Sequence, residues 1–265
     1  MSNSMKTART PFSITYSVWK ALFLREAVSR LSTGRAAWLW LLLEPLFQIV
    51  IMLSIYAVIR MRTVGGINTT LWLMVGLLAF FMFKRTGTQT QNAVNSNKGL
   101  FTYRQVKPVD TVLVRATLEG LITILVAAIL FGGAVLFGIN TLPVDPLSVL
   151  EAFFGLWLLG LGFGLMASVA GELIPEVEKI IGFMMTPLYF VSGLIFPITI
   201  IPQPYRDWVL LNPVVHGVEA ARLGFAPYYH AVSGLSIAYL YGFSLASIFI
   251  GLALHVRFAT RLISQ

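Results

Sequence analysis

Long runs of apolar residues constrain the fold of this chain more than any other feature of its sequence. An α-helix needs about 20 residues, at 1.5 Å per residue, to cross roughly 30 Å of hydrocarbon, and several runs approach or reach that length. Hydrophobic residues make up 57% of the 265 residues and charged residues only 11%, which lies outside the usual range for a soluble domain. The runs are continuous rather than alternating, so they favour helices over a β-barrel. The sequence therefore predicts an all-α, polytopic membrane protein.

The runs predict six transmembrane helices within a single domain that covers residues 1–265. The spans are expected at 36–59, from Thr69 onward, and at 111–137, 148–170, 180–201 and 234–256. Residues 1–35 then form a cytoplasmic leader, 36–256 the six-span bundle and 257–265 a cytoplasmic tail. Most lysines and arginines of the connecting segments fall on the cytoplasmic side when both termini are placed there, as the positive-inside rule requires.

The leader has the pattern of an amphipathic interfacial helix. Trp19, Phe23, Ala27 and Leu31 recur at helical spacing, while basic and small polar residues occupy the other faces. A helix of this kind can lie in the headgroup layer of the membrane. The alternative is a basic cytoplasmic leader that has no such helix.

Three local patterns resemble the permease subunits of bacterial ATP-binding-cassette exporters of capsular polysaccharide. They are "GRAAWLWLLLEPLFQ" (34–48), "FTYRQVKPVDTVLVRATLEGL" (101–121) and "YFVSGLIFPITIIPQPYRDWVLLNPVVHGVEAAR" (189–222). The resemblance implies a multi-pass protein of the bacterial inner membrane that pairs with a second copy of itself and with two copies of an ATPase subunit. It implies that the cargo is a lipid-linked, acidic polysaccharide. It also implies partner export proteins in the periplasm and outer membrane, and no nucleic-acid partner.

The energy source is expected on another chain. The sequence contains no G-x-x-x-x-G-K-[ST] loop, which cradles ATP phosphates in many ATPases. We therefore expect no cofactor on this chain and ATP and Mg on the partner ATPase. The predicted contacts with that subunit lie in two cytoplasmic connections, 95–110 and 171–180, each long enough for one short docking helix. The alternative is that both connections are ordinary solvated loops. The contact residues are expected to be Phe101, Tyr103, Arg104, Lys107, Glu172 and Glu176.

Lys84 and Arg85 follow four bulky apolar residues and pose the main question about the second span. A helix from Thr69 to Phe83 would be only about 22 Å long, short of the roughly 30 Å core, so it should continue. Its continuation places a polar strip on one side, which predicts a substrate channel at a dimer axis lined by Phe80, Phe81, Lys84, Arg85, Thr88 and Gln91. The alternative ends the span at Phe83, with both cations reaching the cytoplasmic headgroups.

The outer segment before the last span predicts two short re-entrant helices separated at Asn212-Pro213. Its polar residues make a candidate periplasmic gate, formed by Trp208, Asn212, His216, Glu219 and Arg222. His216 and Glu219 share a helix face, but two ligands are fewer than a catalytic zinc site usually has, so no metal is expected. Nearer the cytoplasm, Glu44 is expected to pair with a nearby arginine, and Arg115 with Glu119.

Three other functions remain open at this stage. The chain could export another envelope glycan, such as O-antigen or teichoic acid. A membrane-embedded glycosyl- or phosphotransferase is less favoured, because the 11 acidic residues form no Asp-x-Asp pair or dense loop cluster. A stand-alone channel would also lack catalytic residues.

Overall fold

The structure, a computed structural model, describes residues 11–32, 37–59 and 63–264. The described chain is mostly helical, with one small hairpin and irregular connections between the helices. The helices are α1 Pro11–Ser32, α2 Ala37–Ile59, α3 Thr69–Gln91, α4 Pro108–Leu136, α5 Pro146–Leu173, α6 Glu176–Val191, α7 Tyr205–Val209, α8 Pro213–Phe225, α9 Ile237–Arg257 and α10 Ala259–Ser264. The hairpin pairs β1 Thr63–Val64 with β2 Ile67–Asn68, and 3-10 turns cover Asn95–Leu100 and Ile198–Ile200. This confirms the all-α prediction.

Helix α3 is the central helix of the bundle. It begins after Asn68, whose side chain accepts a hydrogen bond from the Thr70 backbone N–H, a common way to start a helix. Trp72, Leu77 and Phe80 are all fully buried, and α2, α4, α5 and α8 pack around the helix. Because so little of α3 is left uncovered, its few partly exposed residues are the ones open to a ligand.

Small residues allow α5 to pack closely between α3 and α9. A Cβ at Gly160 would lie 2.8 Å from the Thr86 Cβ, and one at Gly164 would lie 1.7 Å from the Thr90 Oγ1. On the opposite side of α5, a Cβ at Gly162 would lie 2.7 Å from the Ser247 Cβ. Close approach through glycine is a common way for membrane helices to associate, because dispersion contacts replace the missing hydrophobic effect.

The described helices confirm most of the predicted spans by position but not their number. Four of them, α3, α4, α5 and α9, are long and apolar enough to cross a membrane. Helix α2 coincides with the first predicted span and has a shorter apolar stretch, Leu43–Tyr56. Helix α6 has only 16 residues and starts before the predicted fifth span. The count of six stays a prediction.

Both ends of the described chain pack onto the bundle. Helix α1 forms over much of the predicted leader, and its residues Leu22 and Glu26 are buried. Residues 1–10 and 33–35 of the leader lie outside the described residues. Most of the predicted C-terminal tail forms a helix, α10, and its Leu262 is 1% exposed. Leu262 packs in a core cluster with Phe101 and Leu165, so this helix lies against the bundle.

Candidate functional site

The polar strip of α3 exists as predicted, because the helix continues past Phe83 to Gln91. Lys84 and Thr88 are partly exposed, and the Thr88 hydroxyl donates to the Lys84 carbonyl at 2.8 Å. The Lys84 Nζ lies 5.8 Å from the centre of the Phe81 ring, a favourable position for a cation. These two residues and Arg85 are the partly exposed members of the predicted channel lining.

Three other residues of the predicted lining are buried within the chain. Phe80 is 0% and Phe81 2% exposed, and Phe80 packs edge to face against Tyr189 at 5.4 Å between ring centres. Gln91 is also buried. In this conformation neither phenyl ring offers a face to a sugar, because α6 covers α3 at this level. The sequence alone could not show this contact between the two helices.

Arg85 lies between two carboxylates from neighbouring helices. Its Nη1 is 3.4 Å from the Glu44 Oε2 on α2, and its Nε is 3.8 Å from the Glu119 Oε2 on α4. The expected pairing of Glu44 with an arginine is therefore confirmed. In this conformation Arg85 therefore lies close to two carboxylates of its own chain, and its place in a channel lining stays a prediction.

A second ion pair attaches the N-terminal helix. The Arg115 Nε donates to the Glu26 Oε1 at 2.7 Å, and the Arg115 Nη1 reaches the Gln89 carbonyl at 3.3 Å. Trp19 adds a bond from its Nε1 to the Asp110 Oδ1 at 2.9 Å. Sequence reasoning missed Glu26 as an ion-pair partner. Glu26 is the sole acidic residue before Glu44, and a single acidic residue in a basic helix could have indicated such a pair.

The first cytoplasmic connection is a structured surface, but its aromatic residues differ in position. Phe101 is only 6% exposed and packs in a core cluster with Leu165 and Leu262. Tyr103 is 66% exposed, and Arg104 and Lys107 are exposed beside it. Phe101 is thus part of the core, whereas Tyr103 and the two cations are available for a partner.

The second cytoplasmic connection does not form the expected short docking helix. Helix α5 continues to Leu173 and α6 begins at Glu176, so the link is a tight turn at Pro175. Glu172 pairs with Lys98 at 2.8 Å between Oε2 and Nζ, which joins the two connections. Glu176 is exposed at the start of α6.

A groove of about 680 Å³ separates the first connection from the C-terminal helices. Arg104 and Lys107 line one wall, and Leu252, Val256 and Ile263 line the other. The groove is therefore basic along one wall and apolar along the other.

The outer segment forms a buried polar network against α3. The Arg222 Nη1 lies 2.8 Å from the Glu219 Oε1 and donates to the Gly193 carbonyl at 2.8 Å, while the guanidinium covers the Trp72 ring at 3.7 Å. The Tyr229 hydroxyl donates to Glu219 at 3.1 Å. Burial raises the pKa of Tyr229 to about 12, so this proton is retained at neutral pH.

The break between the short helices is at the predicted position. The Asn212 side chain accepts from the Val214 N–H at 3.0 Å and donates to the Ser192 Oγ at 3.0 Å, which ties α8 to the end of α6. Trp208 is 65% exposed. Of the gate residues, Glu219 and Arg222 are structural partners of each other.

His216 uses both ring nitrogens in hydrogen bonds with the backbone. Its Nδ1 accepts from the Ser236 N–H at 3.1 Å, and its Nε2 is 2.8 Å from the Leu210 carbonyl, which fits a neutral ring protonated on Nε2. Within residues 11–32, 37–59 and 63–264, no group of three or more potential metal ligands occurs.

Comparison with known proteins shows what kind of membrane protein has this arrangement. The model of the ABC-2 type transporter family matches residues 17–226. This chain belongs to that family. It is a transporter membrane subunit and not an enzyme, which removes the alternative of an embedded transferase.

Three relatives of this ABC-2 transporter chain are named for transport or export of polysaccharides. The polysialic acid transport protein KpsM of Escherichia coli is 38% identical over 248 residues, covering 94% of this chain and 96% of that protein. The capsule polysaccharide export inner-membrane protein CtrC of Neisseria meningitidis serogroup A is 29% identical over 208 residues, 77% of each chain. The corresponding protein BexB of Haemophilus influenzae is 26% identical over 220 residues, 83% of each chain.

Proposed function

We propose that this chain is the membrane subunit of an exporter that moves a lipid-linked, acidic polysaccharide from the cytoplasm to the periplasm. The observation that carries the proposal is the 38% identity to a polysialic acid transport protein along 94% of the chain. Sialic acid units carry carboxylates, so the cargo of that relative is acidic. Two further relatives are named for capsule polysaccharide export in the inner membrane.

The route is a channel at the axis of a homodimer, with both termini of each chain in the cytoplasm. Lys84 and Thr88 support this route, because they belong to the few partly exposed polar residues of a helix that is largely covered. A lysine close to the path can attract carboxylates and phosphates of the cargo without binding them in one fixed geometry. The channel therefore needs only a weakly basic lining.

Two copies of a separate ATPase supply the energy and bind ATP and Mg, with no cofactor on this chain. The first cytoplasmic connection supports this contact, since exposed Tyr103 and Arg104 are residue types enriched at energetically important interface positions. Lys107 and Glu176 extend the exposed surface. Partner proteins in the periplasm and outer membrane would receive the polymer at the side of the exposed Trp208.

Deletion of the gene for this chain tests the assignment of the cargo. We expect a lipid-linked acidic glycan to accumulate inside the cell and the same glycan to disappear from the surface, with both restored by the wild-type chain. Loss of a neutral polymer alone, or no accumulated glycan, would contradict the proposal. Accumulation of O-antigen or teichoic acid would assign the chain to that export instead.

A further inference from the structure

The pair between Glu44 and Arg85 joins a buried network to an exposed residue. Arg85 has 11% of its side chain exposed and Glu44 has 46%, whereas Glu119 on the other side of Arg85 has 1%. Moving Glu44 away would leave Arg85 next to the buried carboxylate of Glu119. Glu44 is therefore the partner of Arg85 that can leave at the lower cost in desolvation.

The geometry of this pair leaves room for a stronger ligand. A charge-assisted hydrogen bond from nitrogen to a carboxylate is usually about 2.7–2.9 Å long, whereas the Arg85 Nη1 and the Glu44 Oε2 are 3.4 Å apart. Lys84 is the next residue along the chain and is partly exposed. A phosphate group carries more charge than a carboxylate and can accept both guanidinium bonds in a fork.

Glu44 is followed by a proline inside helix α2. Pro45 has no backbone N–H, so the Leu41 carbonyl lacks the donor that an uninterrupted helix would supply, and helices bend most easily at such positions. After Pro45, Ile49 is buried against Met74 and Leu77 of α3, and the Tyr56 hydroxyl donates to the Ile195 carbonyl. The helix is thus anchored beyond Pro45 and carries its ion pair just before it.

We propose that the Glu44–Arg85 pair is a clasp that a phosphate group opens by replacing Glu44 on Arg85, so that the segment of α2 before Pro45 swings away from α3. This inference rests on the proposed function, because the phosphate of a lipid anchor on the cargo would be the natural ligand. Movement of this segment would expose Lys84 and Arg85 together to the phosphate group.

Spin-label distances test the clasp in the full-length chain, which has no cysteine and needs only two to be introduced. One pair joins Trp40 on the mobile segment to Leu121 on α4, which are 69% and 52% exposed. The control pair joins Val50, which is 51% exposed and lies beyond Pro45, to the same Leu121. Labelled chain is diluted with unlabelled chain, so that distances within one chain are measured.

The E44Q variant in phosphatidylcholine bilayers should shift the 40–121 distance to longer values and leave the 50–121 distance unchanged. Wild type should show the same lengthening of the 40–121 distance when phosphatidic acid is added to the bilayer. The P45A variant should show a smaller lengthening under the same condition. A shift with inorganic phosphate in phosphatidylcholine would also support the clasp but assign it to a free anion.

Identical distances in wild type and E44Q, equal shifts of both pairs, or no response to either phosphate source would overturn the proposal. R85K provides a second variant that keeps the positive charge, and it should open the clasp partly, because lysine cannot form the fork. Neither ATPase nor polysaccharide is present, so a negative result here would leave the export assignment untouched.

Discussion

Replacing Gly76 with alanine should destabilise the protein through the buried network of the outer segment. A Cβ at position 76 would lie 2.3 Å from the Arg222 Nη2 and 3.0 Å from its Cζ, and real Cβ atoms do not approach other atoms this closely. The guanidinium cannot retreat easily, because it covers the Trp72 ring at 3.7 Å and its Nη1 lies 2.8 Å from Glu219. The substitution must therefore displace Arg222 or α3.

The size of the effect follows from three contributions. Overpacking in a well-filled core costs about 1–3 kcal/mol, and breaking a buried ion pair costs about 3–5 kcal/mol if Arg222 is forced away from Glu219. Alanine offsets about 1 kcal/mol of this, because it is the better helix former. We expect a net loss of about 1 kcal/mol if the pair survives the shift and about 3 kcal/mol if it breaks.

The assay is the midpoint of thermal unfolding of the purified chain in detergent, compared between variants under one scan rate. Gly133→Ala is the matched control, since among the described residues no atom beyond the adjoining part of α4 lies within 4 Å of a Cβ at that position, and it should be neutral or slightly stabilising. On an Arg222→Ala background the cost of Gly76→Ala should disappear, because the clashing group is gone. A Gly76→Ala variant as stable as Gly133→Ala would refute the reasoning.

Three further predictions concern the cytoplasmic side. The double variant Tyr103→Ala, Arg104→Ala should reduce copurification of the ATPase at an unchanged unfolding midpoint, and full copurification would exclude the proposed docking site. Phe101→Ala should instead lower the unfolding midpoint, because truncating a buried phenylalanine costs about 3–5 kcal/mol. Lys84→Ala should lower export at unchanged stability and assembly, and normal export would exclude the lysine from the cargo path. Glu26→Gln should increase hydrogen exchange in α1, since it removes the charge that faces a buried arginine, and unchanged exchange would show that apolar contacts alone attach this helix.

The positions of the long helices could be predicted because the bilayer sets a minimum length for a span. The continuation of α3 past Phe83 follows from that length, and its start at Thr69 follows from the Gly65-Gly66 turn before it. Similarly, the break at Asn212 follows from the proline after it, which cannot continue the preceding helix. These predictions depend on local sequence and on a fixed solvent thickness.

The partners of the charged residues could not be predicted, because they depend on which helices become neighbours. Arg85 was expected to face a lumen, yet carboxylates from α2 and α4 lie next to it. Phe101 was expected at the surface for its residue type, but the return of α10 buries it. Periodicity identifies a polar face and does not identify what covers it.

The most direct test of export is ATP-driven transport in proteoliposomes that contain this chain, its ATPase and a lipid-linked acidic glycan labelled on the sugar. With ATP on the side of the ATPase, we expect the labelled glycan to become accessible to a glycosidase on the opposite side of the bilayer. An ATPase variant unable to hydrolyse ATP should abolish this transfer, and a neutral glycan on the same lipid should move more slowly. Transfer that proceeds without ATP hydrolysis, or no transfer by an assembled and hydrolysing complex, would contradict the account.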